Sequence, residues 1–263
     1  MKKLIFFLVL FSHPFTAGGT EMTLLNTPCP VRRLDHILFD DCNPDIIFTA
    51  SKRCVYHSTT KGKSWQRLMR VPEKEEVISL FRDPSYSQEI YIGSTASIYK
   101  IRLPERTVNT CISFEQPLSV TCFDKDPFTP SRNCAGTTNG LFILTERGSS
   151  CHIVKHILAH KSIRAVRFHP NIENRLYLAT DTSFYIINPQ SGNVIRKIYL
   201  YASVPQKNAD STYSIHISAA EDNYIIALHN GALYTSTDYG VSFHKRIDTH
   251  HYIAGIPLSE EES

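Results

Sequence analysis

The chain has 263 residues, of which 42% are hydrophobic and 20% are charged, and its formal net charge is +3. A globular chain of this length has room for one large all-β domain or two smaller domains. Lysine and arginine are scattered along the sequence, which gives no argument for a nucleic-acid-binding surface, and no nucleic-acid partner is predicted.

The first 19 residues have the pattern of a secretory signal. Lys2 and Lys3 precede an apolar run from Leu4 to Phe11, and a zone of small residues follows from Thr16 to Gly19. Such zones are typical of a cleaved signal peptide, and the run is too short to cross a bilayer core of about 30 Å. We therefore expect residues 1–19 to be removed on export to the periplasm, cell envelope or exterior. A mature chain without a membrane span is predicted, with a retained anchor as the alternative.

Two stretches of eight residues, 58–65 and 236–243, are near-copies of one another. They share a serine, a turn glycine and an aromatic residue, and the second adds an aspartate: Ser58, Gly62 and Trp65; Ser236, Asp238, Gly240 and Phe243. An aspartate here accepts hydrogen bonds from its own turn, the glycine supplies a positive φ, and the aromatic ring packs under the hairpin. Each stretch is therefore predicted to form a tight turn between two antiparallel strands.

The turn position recurs with a nearly constant period. It is occupied by Gly62, Glu105, Gly148, Gly192 and Gly240, at successive spacings of 43, 43, 44 and 48 residues. Four short strand patterns accompany each turn, without helical periodicity, which is typical of a propeller blade. The sequence predicts an all-β, five-bladed β-propeller with four-stranded blades at about 34–70, 77–114, 120–156, 163–200 and 213–248.

The segments around and between the blades have their own expected roles. Residues 20–33 form an N-terminal segment, and residues 249–263 form a C-terminal strand and an acidic tail, with one terminal segment closing the ring. Residues 199–212 are predicted to form a protruding loop. The pairs Asp83-Pro84 and His169-Pro170 are predicted turns between first and second strands, because proline cannot donate to a strand ladder.

The pattern Ser-x-Asp-x-Gly-x-x-aromatic resembles the Asp-box, or BNR repeat, of propellers in bacterial sialidases, sortilin-type receptors and photosystem assembly factors. The match is complete in the fifth repeat. In the first repeat Thr60 replaces the aspartate, in the third the aligned residues are Glu146, Gly148 and Cys151, and the second has lost the motif. The resemblance implies a propeller whose motif residues lie at the blade periphery and stabilise turns.

The same resemblance implies what a sialidase would require. Such an enzyme is expected to have six blades and an arginine segment before the first Asp-box. Here the segment Ile101-Arg102-Leu103-Pro104 follows the first Asp-box, and it is interpreted as a strand end with a surface arginine. We therefore predict no catalytic residues and no cofactor, with glycan binding or sialidase-like cleavage as the alternative.

The cysteines and histidines offer two further candidate sites. Seven cysteines follow the signal, an odd number that leaves at least one thiol unpaired within the chain. Cys122 and Cys134 lie about equally far from the turn between two predicted strands, so they form a possible disulfide, with two buried thiols as the alternative. His156 and His160 lie in a link between strands, and we predict no metal site there.

The function expected from these features is that of a non-enzymatic, exported scaffold that binds other proteins. Its most concrete form is a subunit or accessory factor of an outer-membrane-associated secretion complex. A scaffold of this kind should carry an apolar or cysteine-bearing patch on a rim or blade edge. A small-molecule or glycan ligand is kept as an alternative.

Overall fold

The computed structural model describes residues 34–40, 43–82, 88–199, 213–218, 221, 223–229 and 232–248. The predicted signal, the segments 20–33 and 249–263, the loop 200–212 and the pair Asp83-Pro84 lie outside these residues, so the expectations about them stay predictions. The described residues form twenty strands and no helix.

The strands form five antiparallel four-stranded sheets, each made of consecutive strands paired in chain order. Sheet 1 contains β1 (His36–Phe39), β2 (Ile47–Ala50), β3 (Cys54–Ser58) and β4 (Gln66–Arg70). Sheet 2 contains β5 (Val77–Arg82), β6 (Glu89–Ser94), β7 (Ser97–Arg102) and β8 (Thr107–Ser113). Sheet 3 contains β9 (Val120–Lys125), β10 (Arg132–Thr137), β11 (Gly140–Arg147) and β12 (Ser150–Ile157). Sheet 4 contains β13 (Ile163–Phe168), β14 (Leu176–Thr180), β15 (Ser183–Ile187) and β16 (Val194–Tyr199). Sheet 5 contains β17 (Tyr213–Ile217), β18 (Ile225–His229), β19 (Ala232–Ser236) and β20 (His244–Asp248). The predicted all-β class, with five groups of four strands, is confirmed.

The second and third strands of each sheet form its interior, and the fourth strand is its exposed edge. Every residue of β6, β14 and β15 is buried, whereas five of the six residues of β16 are exposed. Strands buried on both faces consist mainly of apolar and small residues because they contact a neighbouring sheet on each side. The sheets therefore depend on one another for their cores.

Four apolar clusters in the described residues each join two consecutive sheets. One representative pair from each runs in sheet order: Val55 with Ile90, Tyr91 with Leu144, Cys134 with Leu178, and Phe184 with Ile225. All eight of these residues are at most 1% exposed. Burial of this kind stabilises each sheet against the next by roughly 25 cal/mol per Å² of apolar surface.

The first strands of consecutive sheets contact one another, from β1 and β5 through to β13 and β17. Ser79 Oγ donates to the carbonyl of Val120 at 2.8 Å, and Thr121 Oγ1 donates to the carbonyl of Ile163 at 2.6 Å. A Cβ at Gly93 would lie 2.7 Å from the Val120 carbonyl oxygen, so only glycine allows this close approach. Hydrogen bonds thus join the first strands of sheets 2, 3 and 4.

Every fourth strand contains one extra residue opposite the third strand, which is a β-bulge. The register shifts place this residue at Leu68, Cys111, Val154, Ile195 and Arg246. A bulge twists an edge strand and interrupts its pairing pattern, which discourages edge-to-edge association. The bulges also turn particular side chains out of the strand's usual alternation.

The turns between first and second strands agree with the local sequence. His169 Nδ1 accepts hydrogen bonds from the backbone N–H groups of Asn171 and Ile172, at 3.1 and 3.0 Å. Asp126 Oδ1 accepts from Phe128 N at 2.8 Å in the equivalent turn of sheet 3. The predicted turn at His169-Pro170 is confirmed, because it joins β13 to β14.

Candidate functional site

The complete Asp-box turn, between β19 and β20, is held by its own side chains. Ser236 Oγ accepts a hydrogen bond from Gly240 N at 2.8 Å and donates to Asp238 Oδ1 at 2.7 Å. Asp238 also accepts from Ser242 N at 2.9 Å and from Ser242 Oγ at 2.6 Å. The Ser242 hydrogen bonds lower the pKa of Asp238 from 3.8 to about 2. All these contacts stay within the turn.

The turn between β3 and β4 makes the neutral version of the same contacts. Ser58 Oγ accepts from Gly62 N at 2.9 Å, and Thr60 Oγ1 accepts from Ser64 N at 2.9 Å, in the place of the aspartate. Gly62 has a φ of 79°, matching 77° at Gly240. The threonine therefore preserves the turn without its charge.

The aromatic residues that end the two motifs point towards the protein interior. The Phe243 ring meets the Phe184 ring edge-on, with centroids 4.6 Å apart, and so joins sheet 5 to sheet 4. Trp65, at the equivalent position, is half-buried. These rings contribute to packing, and the hydrogen bonds described above stabilise the turns.

The cysteine pairing differs from the one predicted. Cys122 stands opposite Gly136, and Cys134 stands opposite Asp124, so the two thiols are offset by two residues in the β9–β10 register. Both are free cysteines. Burial raises the pKa of the Cys122 thiol to about 12, which makes it unreactive at neutral pH.

The disulfide in the structure joins Cys111 to Cys151, on the fourth strands of sheets 2 and 3. Cys111 is the bulged residue of β8, and the extra residue allows its side chain to reach the neighbouring sheet. The two cysteines are 40 residues apart, close to the repeat period of 43. That near-match places the two cysteines on equivalent strands of adjacent repeats, and it is the feature of the sequence from which their pairing could have been predicted.

In sheet 3 the residue aligned with Asp238 has a different role. Glu146 does not accept from its own turn but reaches towards sheet 2, where it contacts Lys100 Nζ. Tyr91 Oη donates to Glu146 Oε2 at 3.0 Å, and Asn133 Nδ2 donates to the same oxygen at 3.3 Å. The degenerate turn motif has thus become part of a contact between two sheets.

Around Glu146 lies a cavity of about 320 Å³ between sheets 2 and 3, which we call the charged cleft. Its ionisable residues are Glu89, Lys100, Arg102, Lys125 and Glu146. Glu89 binds Lys100 at 2.7 Å and Arg102 at 2.9 Å, while Lys125 Nζ lies 3.8 Å from Glu146. Arg102, predicted as a surface arginine, is half-exposed and lies at the rim of this cleft.

Apart from Arg102, the charged side chains of the cleft are largely buried. Side-chain exposure is 4% for Lys100, 8% for Lys125 and 9% for Glu146. Burial acts to raise the pKa of Glu146, but the hydrogen bond and charge of Lys100, with Asn133 and Lys125, lower it overall. Glu146 therefore stays ionised at neutral pH. Sequence reasoning missed the cleft because its residues come from two repeats and share no local motif.

The two histidines considered as a metal pair make contacts with the protein itself. His156 Nε2 lies 2.6 Å from the carbonyl oxygen of Asn139, and its ring stacks on Phe142 with centroids 4.2 Å apart. His160 N donates to Asn139 Oδ1 at 2.9 Å. Over the described ranges, no group of three or more histidines, cysteines or acids is placed to hold a metal ion.

The fourth strands of sheets 3 and 4 carry exposed apolar side chains between basic ones. We call this surface the outer-strand patch, and its apolar members are Ile153, Val154, Val194, Ile195 and Tyr199. Neither β12 nor β16 contains an acidic residue, and together they contain Lys155, Arg196 and Lys197. Gly192, in the turn before β16, lies against Lys155 of β12, so this turn of sheet 4 is close to β12.

No protein-family model matches the chain, and no curated protein matches it. Among the residues that the structure describes, none belongs to a helix that could cross a membrane.

Proposed function

We propose that this protein is a non-enzymatic, exported five-bladed β-propeller that acts as a scaffold for other proteins. The five sheets are its blades, with first strands in sequential contact and an apolar cluster between each consecutive pair. Closure of the ring between sheets 5 and 1 by a terminal segment completes the proposal. A propeller keeps its blades fixed while surface loops and edges bind partners.

Two features support membership of the Asp-box type and export. The turns at Ser236 and Ser58 share one hydrogen-bonding scheme, with Asp238 or Thr60 accepting from a serine four residues later. The Cys111–Cys151 disulfide fits an oxidising compartment, in agreement with the signal-like N-terminus. The periplasm or cell envelope is the proposed location.

The observation that carries the scaffold proposal is the outer-strand patch. Val154 and Ile195 are 56% and 53% exposed, and both are bulged residues on edge strands. Exposed apolar side chains that form a contiguous patch are a mark of protein interaction sites. Because the strands are basic, the partner we propose presents apolar and acidic side chains to the edges of β12 and β16.

The charged cleft does not favour the alternative of glycoside hydrolysis. Such a reaction needs one carboxyl group protonated and another ionised. Here Glu89 and Glu146 both contact Lys100, and the pKa of Glu146 is lowered. The contact with Lys100 favours the ionised form of Glu146, so Glu146 is poorly suited to donate a proton. A subunit or accessory factor of an envelope secretion assembly is the most specific role we propose.

The test is capture of partners from envelope extracts with the tagged protein and two variants, Val154→Glu and Ile195→Glu. The matched control is Val241→Glu, since Val241 is 42% exposed but lies in the sheet 5 turn. We expect the captured protein to be lost with either patch variant and retained with the control, with unchanged melting for all three.

Equal capture by the patch variants and the control would remove the basis for this surface. Hydrolysis of a sialoside by the purified protein would overturn the non-enzymatic assignment itself.

A further inference from the structure

The outer strands of sheets 3 and 4 border a surface groove with basic walls. Lys155 of β12 stands opposite Ile143, and Lys197 of β16 stands opposite Tyr185. Paired residues share a face of their sheet, and Ile143 and Tyr185 belong to the same apolar cluster between sheets 3 and 4. The two lysines therefore lie on facing sides of the two sheets, at the outer mouth of that interface.

Further contacts bring the basic groups of this groove together around Tyr199. Lys197 Nζ donates to Tyr199 Oη at 2.8 Å and lies 4.2 Å from the centre of its ring. The hydrogen bond and charge of Lys197, with the charge of Lys161, lower the pKa of Tyr199. A Cβ built at Gly192 would lie 3.3 Å from Cδ of Lys155. We call Lys155, Lys161, Lys197 and Tyr199 the basic groove.

The positive charge of the basic groove has no acidic counterpart nearby. Neither β12 nor β16 contains an acidic residue, and among the residues that the structure describes none of the three lysines forms an ion pair. The exposed apolar side chains of the outer-strand patch lie on the same two strands. The surface is therefore complementary to a segment that carries apolar and acidic side chains together.

One segment of this chain has that composition. Residues 252–263 contain no basic residue, and their apolar side chains precede three consecutive glutamates: Ile253, Ile256 and Leu258; Glu260, Glu261 and Glu262. This segment follows β20 and lies outside the described residues. Its apolar part and its acidic part match the outer-strand patch and the basic groove, respectively.

The position of β20 allows this segment to reach sheet 4. Asp248 ends β20 opposite the first residue of β19, and Tyr199 ends β16 opposite the first residue of β15. The two strands thus end at equivalent places in adjacent sheets. At roughly 3.3 Å per extended residue, residues 249–259 span roughly 35 Å, whereas packed sheets lie about 10 Å apart. The glutamates are therefore within reach of the basic groove.

We propose that residues 253–262 bind the outer-strand patch of the same molecule, with their glutamates in the basic groove. A segment joined to its site has an effective concentration in the millimolar range, so a weak contact is enough. The segment covers the patch until a partner of the same chemistry displaces it. This regulatory role rests on the proposed scaffold function, whereas the contact itself does not. Ring closure then falls to residues 20–33.

Amide hydrogen exchange of the full chain tests the contact. In the variant E260Q/E261Q/E262Q, amides of β12 and β16 should exchange about tenfold faster than in wild type, because the segment no longer covers them. The matched control is E73Q/E76Q/E105Q, which removes the same charge from exposed glutamates of sheets 1 and 2. It should leave exchange in β12 and β16 unchanged. Equal exchange in wild type and the first variant would overturn the proposal.

A charge swap decides whether the basic groove receives the glutamates. Lys155→Glu with Lys197→Glu should accelerate exchange as the glutamine variant does, and adding E260K/E261K/E262K should restore wild-type exchange. Failure of the swap to restore it would contradict the assigned position.

Partner capture from envelope extracts separates this inference from the scaffold function. If both are correct, E260Q/E261Q/E262Q should capture severalfold more partner than wild type, because a competing segment has been weakened. Faster exchange without any captured partner would support the contact and remove the scaffold function. Capture that depends on Val154 and Ile195, with exchange the same in wild type and E260Q/E261Q/E262Q, would support the scaffold function and refute the contact.

Discussion

Replacing Asp238 with alanine tests the assignment of this carboxylate to turn stability. The side chain accepts three hydrogen bonds, from Ser236 Oγ and from N and Oγ of Ser242. A net value of about 0.5–1.5 kcal/mol each, reduced because an exposed carboxylate is well screened, predicts a loss of roughly 1–2 kcal/mol. Partner binding should be unaffected, because the turn is not part of the outer-strand patch.

The stability lost in Asp238→Ala should decrease as the pH falls. The pKa of Asp238 is lowered from 3.8 to about 2 in the folded protein, mainly by Ser242. A group whose pKa is lower when folded stabilises the protein above its unfolded pKa and loses this effect as the pH falls through its folded pKa. The difference between wild type and Asp238→Ala should therefore be constant near neutrality and shrink between about pH 4 and pH 2.

Urea unfolding followed by circular dichroism measures this difference. With an m-value of roughly 2–3 kcal/mol/M for a chain of this size, the midpoint should fall by about 0.5 M at pH 7. Thr60→Ala is the matched control, because it removes an uncharged acceptor from the equivalent turn, and its effect should not vary with pH. A loss for Asp238→Ala that is the same at pH 3 and pH 7 would refute the charge-based reasoning.

Three further predictions concern the other structural contacts. Thr60→Asp should raise the melting temperature by about 1–3 °C, because a charged acceptor replaces a neutral one at Ser64 N. Cys111→Ser should lower stability by roughly 3–4 kcal/mol through loss of the loop-closing disulfide, measured by thermal melts under non-reducing conditions, whereas Cys54→Ser, at a free cysteine, should have a much smaller effect. Glu146→Ala should lower the free energy of unfolding in urea by roughly 3 kcal/mol or more, because it leaves buried Lys100 with one partner fewer. Glu76→Ala is the control, and it should lower this free energy by under about 1 kcal/mol, because Glu76 and Lys52 form an exposed ion pair. Equal losses for the two glutamate variants would contradict the burial argument.

The strands could be predicted because their ends are determined locally. The predicted fourth blade begins at residue 163, which is the first residue of β13, and the predicted turn His169-Pro170 directly follows the last residue of that strand. The predicted fifth blade likewise begins at residue 213, which is the first residue of β17. Turn glycines such as Gly62 and Gly240 act over only a few residues, so the pattern can be read without knowing what the sheets contact.

The disulfide and the charged cleft depend instead on register and on contacts between sheets. The pairing of Cys122 with Cys134 failed because the observed register offsets the two residues, and a shift in register changes which side chains meet across two strands. Cys111 reaches Cys151 from a β-bulge, and the amino-acid composition of the strand does not indicate where that bulge lies. Glu146 and Lys100 are 46 residues apart in the chain, so only the packing of sheet 2 against sheet 3 brings them together.

The disulfide and the charged cleft both lie at the interface between sheets 2 and 3. Cys151 stands directly opposite Glu146 in the β11–β12 ladder, so the covalent link to Cys111 lies one strand away from the carboxylate that binds Lys100 and Tyr91. The link fixes the separation of the two sheets at their outer edges, while Tyr91 packs against Phe123 with ring centroids 4.7 Å apart deeper in the same interface. The walls of the charged cleft are thus held on one side by the disulfide and on the other by packing.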